Sequence, residues 1–148
     1  MTDKVTFTLA NQDGETVSDS DFEGRKYVMF FYPRAMTPGC TVESCDFRDN
    51  YDAFAKAGYS IVGVSPDEPA SNKKFKDKEN LNFDLLSDED HSLAGSLGAW
   101  GEKKNYGKVF TGIIRSTFVI DENGSVVEAY RNVRAKGHVE RVKADLLS

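Results

Sequence analysis

Two cysteines, Cys40 and Cys45, are the chain's only thiols, and both lie in the stretch PRAMTPGCTVESC from 33 to 45. An ionised thiol is a strong nucleophile, and a pair of thiols can store two electrons as a disulfide. Four residues separate them, two more than in the C-x-x-C of a redox helix. On an α-helix, Cα atoms at i and i+5 stand about 8.7 Å apart, whereas a disulfide needs roughly 4.4 to 6.8 Å. At i and i+3 the separation is only about 5 Å, so C-x-x-C can open and close on an intact helix. The C-x-x-x-x-C pair cannot, and if its sulfurs join, the first turns of the helix must unwind. The spacing suggests a thiol that works alone first and is captured by its neighbour afterwards.

Pro38-Gly39 punctuates a loop, and the residues after it predict a helix from about Thr41 to Ala57, closed by Gly58. At 100° per residue, Phe47, Tyr51, Phe54 and Ala55 fall within about 60° of Cys40, so Cys40 points the way the core does. Cys45 falls about 140° away, among Asp49, Asp52 and Lys56 on the polar side. A helix N-terminus offers unpaired N–H groups and a positive dipole end, both favouring thiolate at Cys40. Thr37 adds a hydroxyl three residues earlier, while Pro33 and Pro38 shape a tight loop that limits water. A cation would complete the site. Arg115 is the candidate: it stands near the start of the apolar run IIRSTFVI, where an arginine needs a reason to sit. Without the cysteine loop it would read as an exposed charge on a strand's outer face.

The elements around that loop must hold it. YVMFFY (27–32) is apolar throughout, as a central strand covered on both faces should be, and YSIVGVS (59–65) is a second such strand. Residues 27 to 65 therefore read as a βαβ unit with a parallel pair and a right-handed crossover. Val5, Phe7 and Leu9 alternate with polar residues ahead of an Asp13-Gly14 turn, the pattern of a half-buried strand. EPASNKKFKDKEN reads as a polar surface helix, LNFDLLS as a short strand, and HSLAGSLGA as a weak helix interrupted by Gly95 and Gly98. After a loop rich in Lys and Gly, IIRSTFVI (113–120), the DENG turn and SVVEAYR form an antiparallel hairpin. GHVERVKADLL follows as an amphipathic helix, with Val139, Val142 and Leu146 on one face. The expected class is α/β, a thioredoxin-like fold with a central mixed β-sheet flanked by helices, in a single domain over 1–148.

Hydrophobic residues at 39% and charged residues at 29% suit a globular domain with a real core. A net charge of −5 argues against nucleic acid or an anionic membrane as the main partner, since both ask for a basic face. No apolar run has signal-peptide or membrane-span length, which leads to the expectation of a cytoplasmic protein. In a reducing compartment two lone cysteines are more often reactive than structural. Zinc is not expected, because two thiolates leave a tetrahedral site half empty and His91 and His138 are far away in sequence. Both histidines are expected at the surface, and Trp100 and Tyr106 in a solvated loop with Lys103, Lys104 and Lys108.

P-x-x-x-T-P-G-C-T with Cys45, the later R-S-T-F, and W-G-E-K-K-x-Y-G-K between them resemble the peroxiredoxin Q group, the bacterioferritin comigratory proteins. The resemblance covers nearly the whole chain. It implies a thiol-dependent peroxidase for hydrogen peroxide and organic hydroperoxides, with Cys40 the peroxidatic and Cys45 the resolving cysteine. Pro33, Thr37, Gly39 and Arg115 would form the rest of the peroxide site, and Glu43 matches a position that helps orient the arginine. One position departs: Ile114 stands before Arg115, where relatives often carry Glu. The implied mechanism has Cys40 attack a peroxide oxygen, become a sulfenic acid and condense with Cys45 to an intramolecular disulfide, which thioredoxin or a similar dithiol reduces. No cofactor is implied. A monomer is expected, since resolution can occur within one chain.

From the residues alone two other readings stay open. A thioredoxin-type thiol–disulfide oxidoreductase shares the fold but would want C-x-x-C and gains nothing from Thr37 and Arg115. A non-enzymatic domain with a redox-controlled helix would use the disulfide without a peroxide pocket.

Overall fold

The computed structural model describes residues 4–105 and 107–147, so Tyr106 lies outside the described residues. In chain order the elements are β1 (Thr8–Ala10), β2 (Thr16–Ser18), β3 (Lys26–Phe31), α1 (Pro38–Asp49), α2 (Tyr51–Lys56), β4 (Tyr59–Ser65) and α3 (Pro69–Glu79). There follow β5 (Asp84–Ser87), α4 (Ser92–Ser96), β6 (Trp100–Asn105), β7 (Lys108–Ile113), β8 (Ser116–Ile120), β9 (Val126–Tyr130) and α5 (His138–Leu147). Seven strands form a mixed sheet in the order β2-β1-β5-β4-β3-β8-β9, with β3, β4 and β5 parallel and the outer pairs antiparallel. The α/β fold with a mixed sheet and flanking helices is as the sequence predicts.

β3 has no polar face because both of its faces are covered. Val28 and Phe30, with Tyr32 beyond the strand, join Phe47, Phe54, Phe75 and Val139 under α1, α2, α3 and α5. Tyr27, Met29 and Phe31 join Phe7, Leu93 and Phe118 on the opposite face. Each such side chain contributes about 1.5 to 3 kcal/mol by leaving water. The first of these cores is crowded enough to require Gly63 in β4: a Cβ there would stand 2.9 Å from both Phe30 and Leu85.

Several elements differ from the sequence expectation. The first strand is β1 alone; Val5 and Phe7 are buried ahead of it without a ladder, Val5 N–H donating to the carbonyl of Gly124. The helix expected over 41–57 begins three residues earlier, because Thr37 is extended at the N-cap and Pro38 is preset for the first helical position. It also breaks at Asn50, whose side-chain amide donates to the carbonyl of Asp46. The break turns Ala55 out of the apolar stripe into solvent. α3 is not all surface, since Asn72 and Phe75 are buried. The Lys- and Gly-rich loop is the β6–β7 hairpin, paired from Trp100↔Ile113 to Asn105↔Lys108. The strand expected over 113–120 accordingly starts only at Ser116.

Candidate active site

The carboxyl end of β3 and the beginning of β8 are neighbours, with Phe31 paired to Ser116. β3 ends at Phe31 and Pro33 lies in the loop into α1, while Arg115 is the residue immediately before β8. The sheet register therefore brings the cysteine loop and the arginine together from 75 residues apart in sequence.

At the start of α1, Thr37 caps with its backbone: Thr41 N–H and Oγ1 donate to the Thr37 carbonyl. The Thr37 hydroxyl makes no side-chain cap and instead donates to the carbonyl of Arg34 at 2.8 Å. The Gly39 and Cys40 N–H groups, lying in the first turn, have no intrahelical acceptor, so the positive end of the helix opens at Cys40. The loop is anchored from below: Ala35 N–H donates to Asp67 at 2.7 Å, and the Tyr32 hydroxyl donates to buried Asn72 at 2.7 Å. Burial, as its largest cause, drives the Tyr32 phenol well above its ordinary range, so it stays protonated as a donor.

Cys40 is fully buried. Nη2 of Arg115 lies 3.2 Å from its Sγ, and Nη1 donates to Oε1 of Glu43 at 2.7 Å. Cys40 and Glu43 stand three apart on one helical face, so one planar guanidinium spans both. Burial pushes the Glu43 carboxyl up to about 7, against the pull of Arg115, and its Oε2 has no hydrogen-bond partner among the described residues. Arg115 loses some affinity for its proton by burial, but Glu43 and Cys40 more than restore it, and it remains a cation. Gly39 is the condition for this approach: a Cβ there would sit 3.3 Å from Nη2 of Arg115 and 3.8 Å from Cβ of Ala135. Ile114 lies against the face of Gly101, so the carboxylate that holds Arg115 comes from α1 and not from the preceding residue.

The structure thus brings Cys40, Gly39, Glu43 and Arg115 into contact, with Thr37 one turn before the cysteine and Pro33 at the mouth of the loop. Cys45 faces away from this cluster, half-buried, and both cysteines are free thiols. Sequence reasoning missed Lys103. On β6 it shares a face with Gly101, which meets Ile114, and it is half-buried while Glu102 is exposed. Burial lowers its pKa, as does Arg115, with Cys40 opposing, which places the ammonium in the field of both groups. Nothing along WGEKK signals it, because the apolar Trp100 shares its strand face with exposed Glu102. His138 is a correction: it is buried, 2.7 Å from the Thr117 hydroxyl, and packs edge-on against Phe47 and Tyr130. His91 is half-buried and stacks on Trp100 at 3.6 Å.

A cavity of about 330 Å³ bordered by Asp19, Phe22 and Tyr27 lies at the amino end of β3, opposite Cys40, and touches none of these residues. Among the described residues no cluster of His, Cys, Asp or Glu could hold a metal ion, and no helix is long and apolar enough to cross a membrane.

The AhpC/TSA family matches residues 2–129. The peroxiredoxin Bcp of Bacillus subtilis is 50% identical over 88% of this chain and 83% of its own, and that of Escherichia coli 46% identical over 89% and 85%. The Xanthomonas campestris bacterioferritin comigratory protein, studied for its alkyl peroxide reduction activity, superposes with a TM-score of 0.88. It is 38% identical over 95% of this chain and 89% of its own.

Proposed function

The chain belongs to the AhpC/TSA family, as a peroxiredoxin of the Bcp and peroxiredoxin Q kind, and from that premise we propose a two-cysteine turnover centred on Cys40. The single observation that carries the assignment is the guanidinium of Arg115 held between the Cys40 sulfur and Glu43.

A peroxide entering past Pro33 and Thr37 meets a sulfur whose charge is balanced by Arg115 and by the open N–H groups of the first turn. Cys40 thiolate attacks one oxygen; the O–O bond breaks, and the leaving hydroxide or alkoxide takes a proton as it departs. Gly39 and Cys40 N–H groups, the Thr37 hydroxyl and Arg115 are the donors available to the two oxygens. Cys40 is left as a sulfenic acid, which Cys45 converts to a disulfide with loss of water. An external dithiol, thioredoxin or a protein like it, returns both thiols by exchange. Hydrogen peroxide and small organic hydroperoxides are the substrates, and a monomer in the cytoplasm suffices, because both sulfurs belong to one helix.

Reductant oxidation driven by hydrogen peroxide and by an organic hydroperoxide tests the reading. Cys40→Ser is expected to abolish it, while Cys45→Ser reduces one equivalent of peroxide and stops at the sulfenic acid or a higher oxide. A single round lost equally in both variants would overturn the division of roles. Absence of any peroxide consumption that depends on Cys40 would favour a thiol exchange function instead.

A further inference from the structure

A second redox thiol must not be consumed by peroxide before it is needed, and the surroundings of Cys45 address this. The Cys45 thiol donates to Oε1 of Glu79, the last residue of α3, at 3.6 Å. The same corner grips α1 again: the Arg48 guanidinium donates to the backbone carbonyl of Glu79 at 2.5 Å, and the Asn82 amide donates to the carbonyl of Arg48 at 3.4 Å. The half of α1 that carries Cys45 is therefore fastened to the end of α3, whereas the half that carries Cys40 is fastened to Arg115.

We infer that Glu79 is the positioning residue of the second thiol: its carboxylate accepts the Cys45 S–H and parks the sulfur against α3 while Cys40 is reduced, and gives it up when α1 opens. This rests on the two-cysteine reading above. Three charged groups face the sulfur. Partial burial is the largest cause that raises the thiol above its usual range; Arg48 opposes it, and Glu79 and then Asp49 add to it. A protonated thiol is a poor nucleophile, and peroxide that reaches the folded protein is left to Cys40. Opening of α1 removes Cys45 from both the burial and the carboxylate. The Cys45 sulfur then attacks the Cys40 sulfenic sulfur: the S–S bond forms, the S–O bond breaks, and the oxygen leaves as water with the proton that Glu79 had held on Cys45. The Cys45 sulfur is oxidised as it supplies the electron pair that reduces the sulfenic sulfur.

The test compares Glu79→Gln and Glu79→Ala. In a Cys40→Ser background, iodoacetamide alkylation of Cys45 is followed against pH. Glu79→Gln keeps an acceptor oxygen and the backbone carbonyl that Arg48 uses, yet should shift the profile to lower pH and raise the rate at pH 7 by about threefold or more. With Cys40 present, Glu79→Ala should close the disulfide faster after a pulse of peroxide and leave less over-oxidised Cys40. A merely structural role would change the melting temperature and leave the Glu79→Gln profile on top of that of its parent, which overturns the inference. If no Cys40–Cys45 disulfide forms in the unsubstituted chain, the two-cysteine reading fails, while the alkylation profiles still decide what Glu79 does to the thiol.

Discussion

Removing the Arg115 side chain should slow the first chemical step by about a hundredfold. Two contacts vanish in Arg115→Ala, the 3.2 Å approach to the Cys40 sulfur and the 2.7 Å hydrogen bond to Glu43. The first is a hydrogen bond to a charged group, worth about 1.5 to 3 kcal/mol, or roughly 12- to 160-fold in rate if lost wholly from the transition state. The second leaves a carboxylate orphaned in a fully buried position. That carboxylate need not remain charged beside the sulfur, because burial already holds it at about 7 with the arginine present, and without it the group takes up a proton. The two losses therefore do not add, and the estimate stays near that for removing one donor from an oxyanion site. Arg115→Lys should recover about tenfold of the loss, since a point charge can approach the sulfur or the carboxylate but cannot span both as a planar fork does. The assay is single-turnover oxidation of Cys40 by hydrogen peroxide in a Cys45→Ser background, by rapid quench and mass spectrometry. A rate within threefold of the parent for Arg115→Ala would refute the reasoning and return the arginine to the role of a structural ion pair.

His138, buried and pushed down to about 4 chiefly by desolvation with Arg141 and Arg115 adding, is neutral in the folded state while the unfolded chain protonates it near 6.5. Its folded pKa lies below the unfolded one, so stability present above pH 6.5 is lost as pH falls towards 4, by about 3 kcal/mol. Glu43 has the opposite sign, its raised pKa costing stability as pH rises from about 4.5 to 7. Urea unfolding should consequently show a steeper gain in stability from pH 4.5 to 6.5 in Glu43→Gln than in the parent; equal slopes would sink the Glu43 assignment, and no gain in Glu43→Gln would sink that of His138. On oxidation to the disulfide, amides over 39–47 should lose hydrogen-exchange protection while those of β3 and β4 keep theirs; unchanged protection with a verified Cys40–Cys45 bond would contradict the spacing argument.

The strands were legible where burial is two-sided, because YVMFFY and YSIVGVS leave no polar face to confuse with a helix. The wheel on Cys40 also contained the burial of Glu43 and Ser44, about 60° and 40° from the cysteine, although only apolar residues are ordinarily read as a core stripe. The β6–β7 hairpin was obscured because its lysines and glycines have low strand propensity, and its pairing is an inter-strand property that no window reports. The break at Asn50 depends on a side chain competing for the carbonyl of Asp46, which periodicity cannot register. His138 was misplaced for a related reason. An imidazole at a helix start reads as surface until the Thr117 hydroxyl, on a strand 21 residues earlier, supplies its partner.

Those particulars combine in α1 itself. The helix is clasped at its beginning by Arg115 through Cys40 and Glu43, and at its end by Glu79 and Asn82 through Cys45 and Arg48. In the turnover proposed above, oxidation puts an oxygen on the Cys40 sulfur that the first clasp holds and leaves the contacts of the second clasp as they were. On that proposal the opening begins at the start of α1, where Cys40 reacts. It has a natural stop as well. Asn50 already interrupts the helix, and its side-chain oxygen accepts from Lys143 of α5 at 3.0 Å, so α2 has a mooring on α5 besides its contacts with α1. The segment that must unwind for two sulfurs five positions apart to meet is bounded by Thr37 and Asn50. The strands carrying the core need not move, and filling the break to make one continuous helix from 38 to 56 should slow disulfide formation while leaving the first reaction of Cys40 unchanged.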